Sequence, residues 1–435
     1  MRPKVLRYVV FVAAALAVSI ILLISSSGKP SNDEEVVKTI ELNKCLSNEL
    51  CDSLGLEIID RRVKNYMTQW ALHGVSLAVM KNDSLVYAKG FGEADDGEPM
   101  TPGHILRMAS VSKLVTAVGI MVLREEGSLS LDDKVFGPNG ILNDSIYAAA
   151  IRDTSYYSIT VEHLLRHQGG FSRAGGDPMF STRWLMMQNH WTEVPTQEQL
   201  TVTQLKRRLN FKPGTSNSYS NFGYLALSMV IERLSGQSYE EFIQERVLRP
   251  AGCVDFHIAG NYYEDKRPNE VRYYVQWDDE PANEFNNSGN MVTRSYGGNN
   301  VTGLSGAGAW AASTPELALL VASIDGRPEV PDIINEESVA LMTEYIDENT
   351  YSLGWNDTHP SKGWTRTGTF AGTSALVKYF PDGECYVFIT NTSTYKGPGL
   401  SRYTAELFDK IRSSCSSAYP KRNLFYELPE KAEES

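Results

Sequence analysis

The sequence has little of what marks metal, redox or nucleic-acid proteins. Its 435 residues include five cysteines with no C-x-x-C pair, and seven histidines that form neither H-x-H nor H-E-x-x-H. Zinc and iron–sulfur centres need such clustered ligands, so no metal site and no cofactor are expected. Beyond the first residues there is no Lys/Arg-rich run, and 41 basic against 53 acidic residues leave a formal charge of −12. A surface that acidic repels phosphate backbones, which argues against nucleic acid as a partner. No G-x-S-x-G elbow occurs, which leaves an α/β-hydrolase without support. Internal repeats are missing too. With 42% hydrophobic and 22% charged residues, the composition is that of an ordinary globular chain.

The N-terminus places Arg2, Lys4 and Arg7 ahead of a 17-residue apolar run from Tyr8 to Ile24, followed by Ser25, Ser26, Ser27 and Gly28. Basic residues before an apolar run direct export, so residues 1–27 read as a signal peptide or a membrane anchor. The run exceeds a signal core of about 7–15 residues and falls short of the roughly 20 of a spanning helix, which leaves both open. The domain that follows is expected in the periplasm or another extracytoplasmic space. Residues 28–53 read as a polar linker, 54–414 as the domain and 415–435 as a tail. Export permits disulfides; Cys45 with Cys51 and Cys385 with Cys415 are the candidate pairs, leaving Cys253 over.

Apolar residues at helical spacing predict a helix from Leu54 to Leu72, stopped by Gly74. Val75–Met80 and Leu85–Phe91 read as a hairpin, as do Thr373–Phe380 and Cys385–Thr390 around Pro381-Asp382-Gly383. Helices are predicted over 112–127, 160–166, 222–236, 238–248 and 400–413. Strands at both ends with helices between them predict an α+β fold. Its antiparallel sheet joins N- and C-terminal strands, flanking helices cover it, and a mainly helical lobe is inserted at roughly 128–300. The Tyr-, Asn- and Gly-rich stretch 261–303 reads as a long excursion, either at the rim of a cleft or simply on the surface.

Chemistry concentrates at Ser110 and Lys113. S-x-x-K occurs three times, as Ser26/Lys29, Ser110/Lys113 and Ser393/Lys396, but only the second opens an apolar helix. Residues three apart share a helix face, so the lysine amine and the serine hydroxyl are neighbours there. A lysine takes a hydroxyl proton only if its pKa, ordinarily about 10.4, falls towards neutrality through burial or nearby cations. The one Y-x-N, Tyr219-Ser220-Asn221, directly precedes a predicted helix, where Asn221 also suits an N-cap. Arg366-Thr367-Gly368-Thr369, with Gly372 behind it, sits where the late hairpin begins; a solvated arginine before a turn is the plain alternative.

These segments, in this order, resemble the serine β-lactamase and penicillin-binding-protein superfamily, its class C-like branch above all. Residues 55–412 carry the resemblance, including Gly74–Val79, Tyr87–Gly92, Glu126–Asp132, Ile159–Gly170, Pro213-Gly214, Ile231–Gly236 and Gly368–Asn391. It implies a β-lactamase/transpeptidase-like fold and a serine hydrolase working through an acyl-enzyme. Ser110 would be the nucleophile, with Lys113 and Tyr219 sharing its proton and Asn221 holding Lys113 and the substrate amide. The N–H groups of Ser110 and Thr369 would form the oxyanion hole. Arg366 departs from the Lys or His usual at its position; its planar fork suits a substrate carboxylate. Gln204–Asn210 holds no glutamate resembling a class A deacylation base. A small-molecule or peptide substrate follows, cell-wall fragments with D-residues foremost. A class C-like β-lactamase and a catalytically silent binding protein on the same fold are the alternatives.

Overall fold

Strands from both ends of the chain meet in one sheet whose central strands are buried on both faces and need cover on both. The computed structural model describes residues 41–51, 56–171, 176–276, 281–415 and 417–426. Its principal helices are α1 (Glu57–Trp70), α2 (Ser112–Glu125), α3 (Asn221–Ser235), α4 (Thr314–Ala322) and α5 (Leu400–Cys415). The main strands are β1 (Gly74–Lys81), β2 (Ser84–Asp95), β3 (Glu98–Pro99), β4 (Trp364–Phe370), β5 (Thr373–Tyr379) and β6 (Glu384–Thr390). They are ordered β4-β5-β6-β1-β2-β3, with every described pairing antiparallel. The chain ends join where β1 pairs with β6, Val75 facing Thr390 and Lys81 facing Glu384.

Tyr66 of α1 meets Thr404 of α5 at 2.8 Å through their hydroxyls and turns its ring edge-on to Phe388 of β6. Phe408 of α5 stacks on Tyr386 at 5.0 Å between centroids. Elsewhere on the sheet, α4 packs against β1 and β6, with Thr314 Oγ1 2.7 Å from Ser76 Oγ. Every residue of β6 is therefore buried, as expected of a strand covered on both faces.

The expected α+β layered sheet is present, with three differences. The late hairpin is a three-stranded meander: the Thr-rich stretch from Trp364 is itself the edge strand β4. Helix α1 ends at Ala71 in the left-handed region (φ 47°), and Gly74 instead opens β1, where a Cβ would lie 2.2 Å from the Glu93 carbonyl oxygen. The helix expected at 238–248 changes at Gln244 into a π-helical turn.

The described parts of the segments read as linker and tail are packed. Leu42, Leu46 and Cys51 are buried, and Asn48 bonds Gly90 N–H and the Met100 carbonyl. Leu424 and Phe425 are buried beside β2, with Leu424 N–H donating to Leu85 O at 2.9 Å. Neither proposed disulfide forms. Cys45, Cys253, Cys385 and Cys415 are thiols, and Cys51 Sγ lies against the Ala88 backbone at 3.1 Å.

The 261–303 excursion is pinned to the domain. Arg107 is buried, stacks on Tyr273 and Tyr296, and donates to the carbonyls of Ser295 (2.7 Å) and Gly260 (2.9 Å). Residues 1–27, read as an export segment, lie outside the described residues. Among the described residues no helix is long and apolar enough to cross a membrane.

Phe408 is wholly buried between the sheet and α5, so Phe408→Ala is expected to destabilise the fold by about 3–5 kcal/mol in urea unfolding.

Candidate active site

Ser110 sits in a single 3-10 turn, Ala109–Val111, that feeds into α2. Ala109 just before it has φ 48°, a left-handed conformation that a side-chain-bearing residue rarely adopts, so the backbone is strained beside the hydroxyl. Ser112 to Leu123 of α2 are all buried, which carries Lys113 into the core while Ser110 keeps partial exposure. An ammonium has three hydrogens to place. Lys113 Nζ places them on Ser110 Oγ at 3.1 Å, Asn221 Oδ1 at 2.8 Å and Ala307 O at 2.5 Å.

The Tyr219 segment reaches the same point from the start of α3. Ser220 is the N-cap, accepting Gly223 N–H on its hydroxyl at 3.1 Å, and this frees Asn221 to face Lys113. The Tyr219 hydroxyl donates to Ser110 Oγ at 2.7 Å. His167, buried and in the left-handed region, takes the Ser220 N–H on Nδ1 and packs its ring 4.4 Å from that of Tyr219. Three remote segments thus bring a hydroxyl, an amine and a phenol into one hydrogen-bonded cluster.

Burial is the main cause that draws the Lys113 amine down, to about 8, with the Arg366 cation adding to it; Tyr219 and Asp177 pull the other way. For Tyr219 burial alone would raise the phenol. The Lys113 and Arg366 charges, together with hydrogen bonding at Lys113 and Ser110, outweigh it, and the net shift is downward. Amine and phenol therefore approach each other in basicity, the condition for a proton to pass between them.

Arg366 lies on β4 with no exposed surface. Its Nε donates to the Ser110 carbonyl at 2.8 Å, and among the described residues no acceptor meets Nη1 or Nη2. It is neither a solvated arginine nor, in this conformation, a fork open to a substrate carboxylate. Its action on the cluster is through its field.

β4 is the free edge of the sheet, and alternate N–H groups of a strand point to the same side. Thr365 N–H goes outward to Asp357 O at 2.8 Å and Thr367 N–H to Asn356 Oδ1 at 2.7 Å. Two residues on, Thr369 presents the next outward N–H at the end of the strand that touches Ser110. Gly368 makes this approach possible: a Cβ there would lie 2.2 Å from Met108 O and 3.0 Å from Ser110 N. The Thr367 hydroxyl bonds Asn356 and lines a cleft of about 710 Å³ with Tyr219, Ser218, Glu348 and Tyr351.

Sequence reasoning missed three contributors. Asp177, in the loop before a short turn at Pro178–Phe180, accepts Asn221 Nδ2–H at 2.7 Å. Ala307 contributes a carbonyl and Asn356 a side chain. None belongs to a motif, and a backbone carbonyl leaves no residue-type signal at all.

The family model described as Beta-lactamase matches residues 59–408. A penicillin-binding protein of Bacillus subtilis (strain 168) is 27% identical over 209 residues, 47% of this chain and 42% of that protein. The D-alanyl-D-alanine-carboxypeptidase/endopeptidase AmpH of Escherichia coli (strain K12) is 24% identical over 46% of this chain and 49% of its own length. The chain thus spans under half the length of each of these relatives. The D-amino acid amidase of Ochrobactrum anthropi SV3, in its complex with L-phenylalanine amide, superposes with a TM-score of 0.65 at 18% identity. That match covers 85% of this chain and 100% of the amidase. At that identity it speaks for the fold alone.

Two outcomes are expected. Gly368→Ala drives β4 off the Ser110 backbone, and kcat should fall by roughly 10²–10³, the loss typical of an oxyanion donor. Arg366→Met removes a cation that lowers both Lys113 and Tyr219. Both groups then hold their protons to higher pH, and the acid limb of the kcat/KM profile should move to the alkaline side.

Proposed function

The chain belongs to the β-lactamase family and is a serine hydrolase; from that premise we propose that it cleaves amide or ester bonds of D-residue-containing peptides through an acyl-enzyme on Ser110. The observation that carries the reading is the cluster of Ser110, Lys113, Tyr219 and Asn221, with Ser110 Oγ 2.7 Å from the phenol and 3.1 Å from the amine. The D-alanyl-D-alanine-carboxypeptidase name of the Escherichia coli relative supports the substrate class. The extracytoplasmic setting rests on the basic and apolar N-terminal run.

In the forward step Ser110 Oγ attacks the carbonyl carbon, and its proton passes to the Tyr219–Lys113 pair. The carbonyl oxygen becomes an oxyanion between the N–H groups of Ser110 and Thr369. The scissile C–N or C–O bond then breaks as the pair returns the proton to the leaving nitrogen or oxygen. Water repeats the sequence on the Ser110 ester: its proton goes to the pair, the acid product leaves, and Ser110 recovers its hydrogen. Arg366 stays charged throughout and holds both members of the pair at reduced basicity.

Mass spectrometry of the protein with D-Ala peptides, esters and β-lactams tests this. A mass increase equal to the acyl group on Ser110, absent in Ser110→Ala, with release of the acid from D-peptides or esters, is the expected outcome. Fast repeated turnover of a chromogenic cephalosporin with no cleavage of D-peptides or esters would make it a β-lactamase instead. No adduct with any of them would leave a binding protein.

A further inference from the structure

The leaving nitrogen or oxygen takes its proton from the Tyr219–Lys113 pair. Lys113 has no exposed surface, so Tyr219 is the member that reaches the leaving atom. The group behind that atom therefore lies in the cleft of about 710 Å³ that Tyr219 lines.

The walls of this cleft offer little to an anion. Among the described residues no Lys or Arg lines it; Glu348 is its one carboxylate, and Asn217, Ser218, Asn349, Thr350 and Asn356 supply amides and hydroxyls. On β4, Thr367 has two donors to give an entering carboxylate, its N–H and its hydroxyl. Asn356 Oδ1 takes both, at 2.7 and 3.1 Å. The two cations of the site lie behind the wall. Arg366 has no exposed surface and commits its Nε to the Ser110 carbonyl, and Lys113 directs its hydrogens to Ser110, Asn221 and Ala307. A carboxylate entering here sheds water and gains neither a cation nor a donor in contact.

Glu348 is exposed, but the segment that carries it is fastened. Buried Arg166 donates to Glu344 Oε2 at 2.7 Å and to the Tyr351 carbonyl at 3.2 Å, which ties down both ends. Between them Asp347 Oδ1 accepts Asn349 N–H at 2.7 Å and the Thr350 hydroxyl at 3.1 Å, closing a turn. Tyr351 stands edge-on to His167 at 4.8 Å, and the same His167 ring packs on Tyr219. A negative charge is thereby set on the wall of the leaving-group cleft, where it repels an anion and attracts a cation.

We infer that Glu348 and the Thr367–Asn356 pair select leaving groups without a carboxylate: neutral polar or cationic amines and alcohols are accepted, and a residue with a free terminal carboxylate is rejected. Resting on the serine hydrolase reading, this narrows it to D-acyl peptides that are amidated or continue past the bond cut, and to esters of neutral or cationic alcohols. Glu348 is a specificity residue, touching the leaving group and not the reacting atoms.

The test uses three N-acetyl-D-alanyl esters, of glycolate, of its isostere glycolamide and of choline, each rate referred to that ester's hydrolysis by hydroxide. Wild type and Glu348→Gln are compared at low and high salt, with fluorophosphonate labelling of Ser110 in parallel. The wild type should prefer glycolamide to glycolate by about tenfold or more in kcat/KM, the effect of a desolvated carboxylate left without a partner. Choline should lead glycolamide by about two- to fivefold, as for an exposed ion pair, and high salt should erase that lead. Glu348→Gln should erase it as well, mainly through KM, and should narrow the preference for glycolamide over glycolate.

Glycolate used as well as glycolamide, or better, overturns the inference. So does a choline lead that is absent in the wild type at low salt or survives in Glu348→Gln, or an equal loss on all three esters in the variant. No hydrolysis of any ester by a protein that still labels removes the D-acyl substrate class, and failure of Ser110 to label removes the serine hydrolase reading; the inference falls with either.

Discussion

A lysine amine with no exposed surface is the constraint on which the site depends. Burying a cation is expensive unless its donors are satisfied. Lys113 meets that demand with three acceptors drawn from α2's own entry turn, the start of α3 and the 3-10 segment that ends at Ala307. The same burial that weakens the amine's hold on its proton forces those three segments into register. The chemistry and the packing are therefore one requirement: moving any acceptor leaves one hydrogen of a buried ammonium without its partner.

The fold meets this requirement by setting a helix-rich insertion against one edge of the sheet. α2 and α3, each buried along most of its length, fix the amine and the phenol from the inside. The edge strand β4 closes the site from the other side, bringing the Arg366 cation beneath it and the Thr369 N–H beside it. Gly368 sets the distance between the two, because only a residue without a side chain lets the strand rest on Met108 and Ser110. An edge strand suits this task because its outward N–H groups are unclaimed by a neighbouring strand.

Much of this was legible in the sequence, for identifiable reasons. Strands β1, β2, β5 and β6 and helices α1, α2, α3 and α5 announce themselves by apolar periodicity and turn residues, and Ser110, Lys113, Tyr219 and Asn221 fall in spaced motifs. What stayed hidden depends on tertiary placement. β4, rich in threonine and carrying an arginine, has no apolar alternation to mark it. Arg366 reads as a carboxylate fork or a solvated arginine because nothing local says that the Ser110 turn lies against it. Asp177 and Asn356 are single polar residues in loops, and their meaning comes only from Asn221 and Thr367 being opposite. The linker and tail read as segments outside the domain, yet Leu42, Leu46, Leu424 and Phe425 are core residues.

Proton exchange at Ser110 turns on a phenol made more acidic by two neighbouring cations in a buried site, and one measurement addresses it directly. Protein carrying 13C-labelled tyrosine, with the Tyr219 signal assigned by its loss in Tyr219→Phe, is titrated by NMR. The Tyr219 ring signal should change with a midpoint below the ordinary phenol value of about 10, and the midpoint should rise when Lys113 is replaced by methionine. A midpoint at or above that value, indifferent to Lys113, would show that burial governs Tyr219 and that the shared-proton mechanism is wrong.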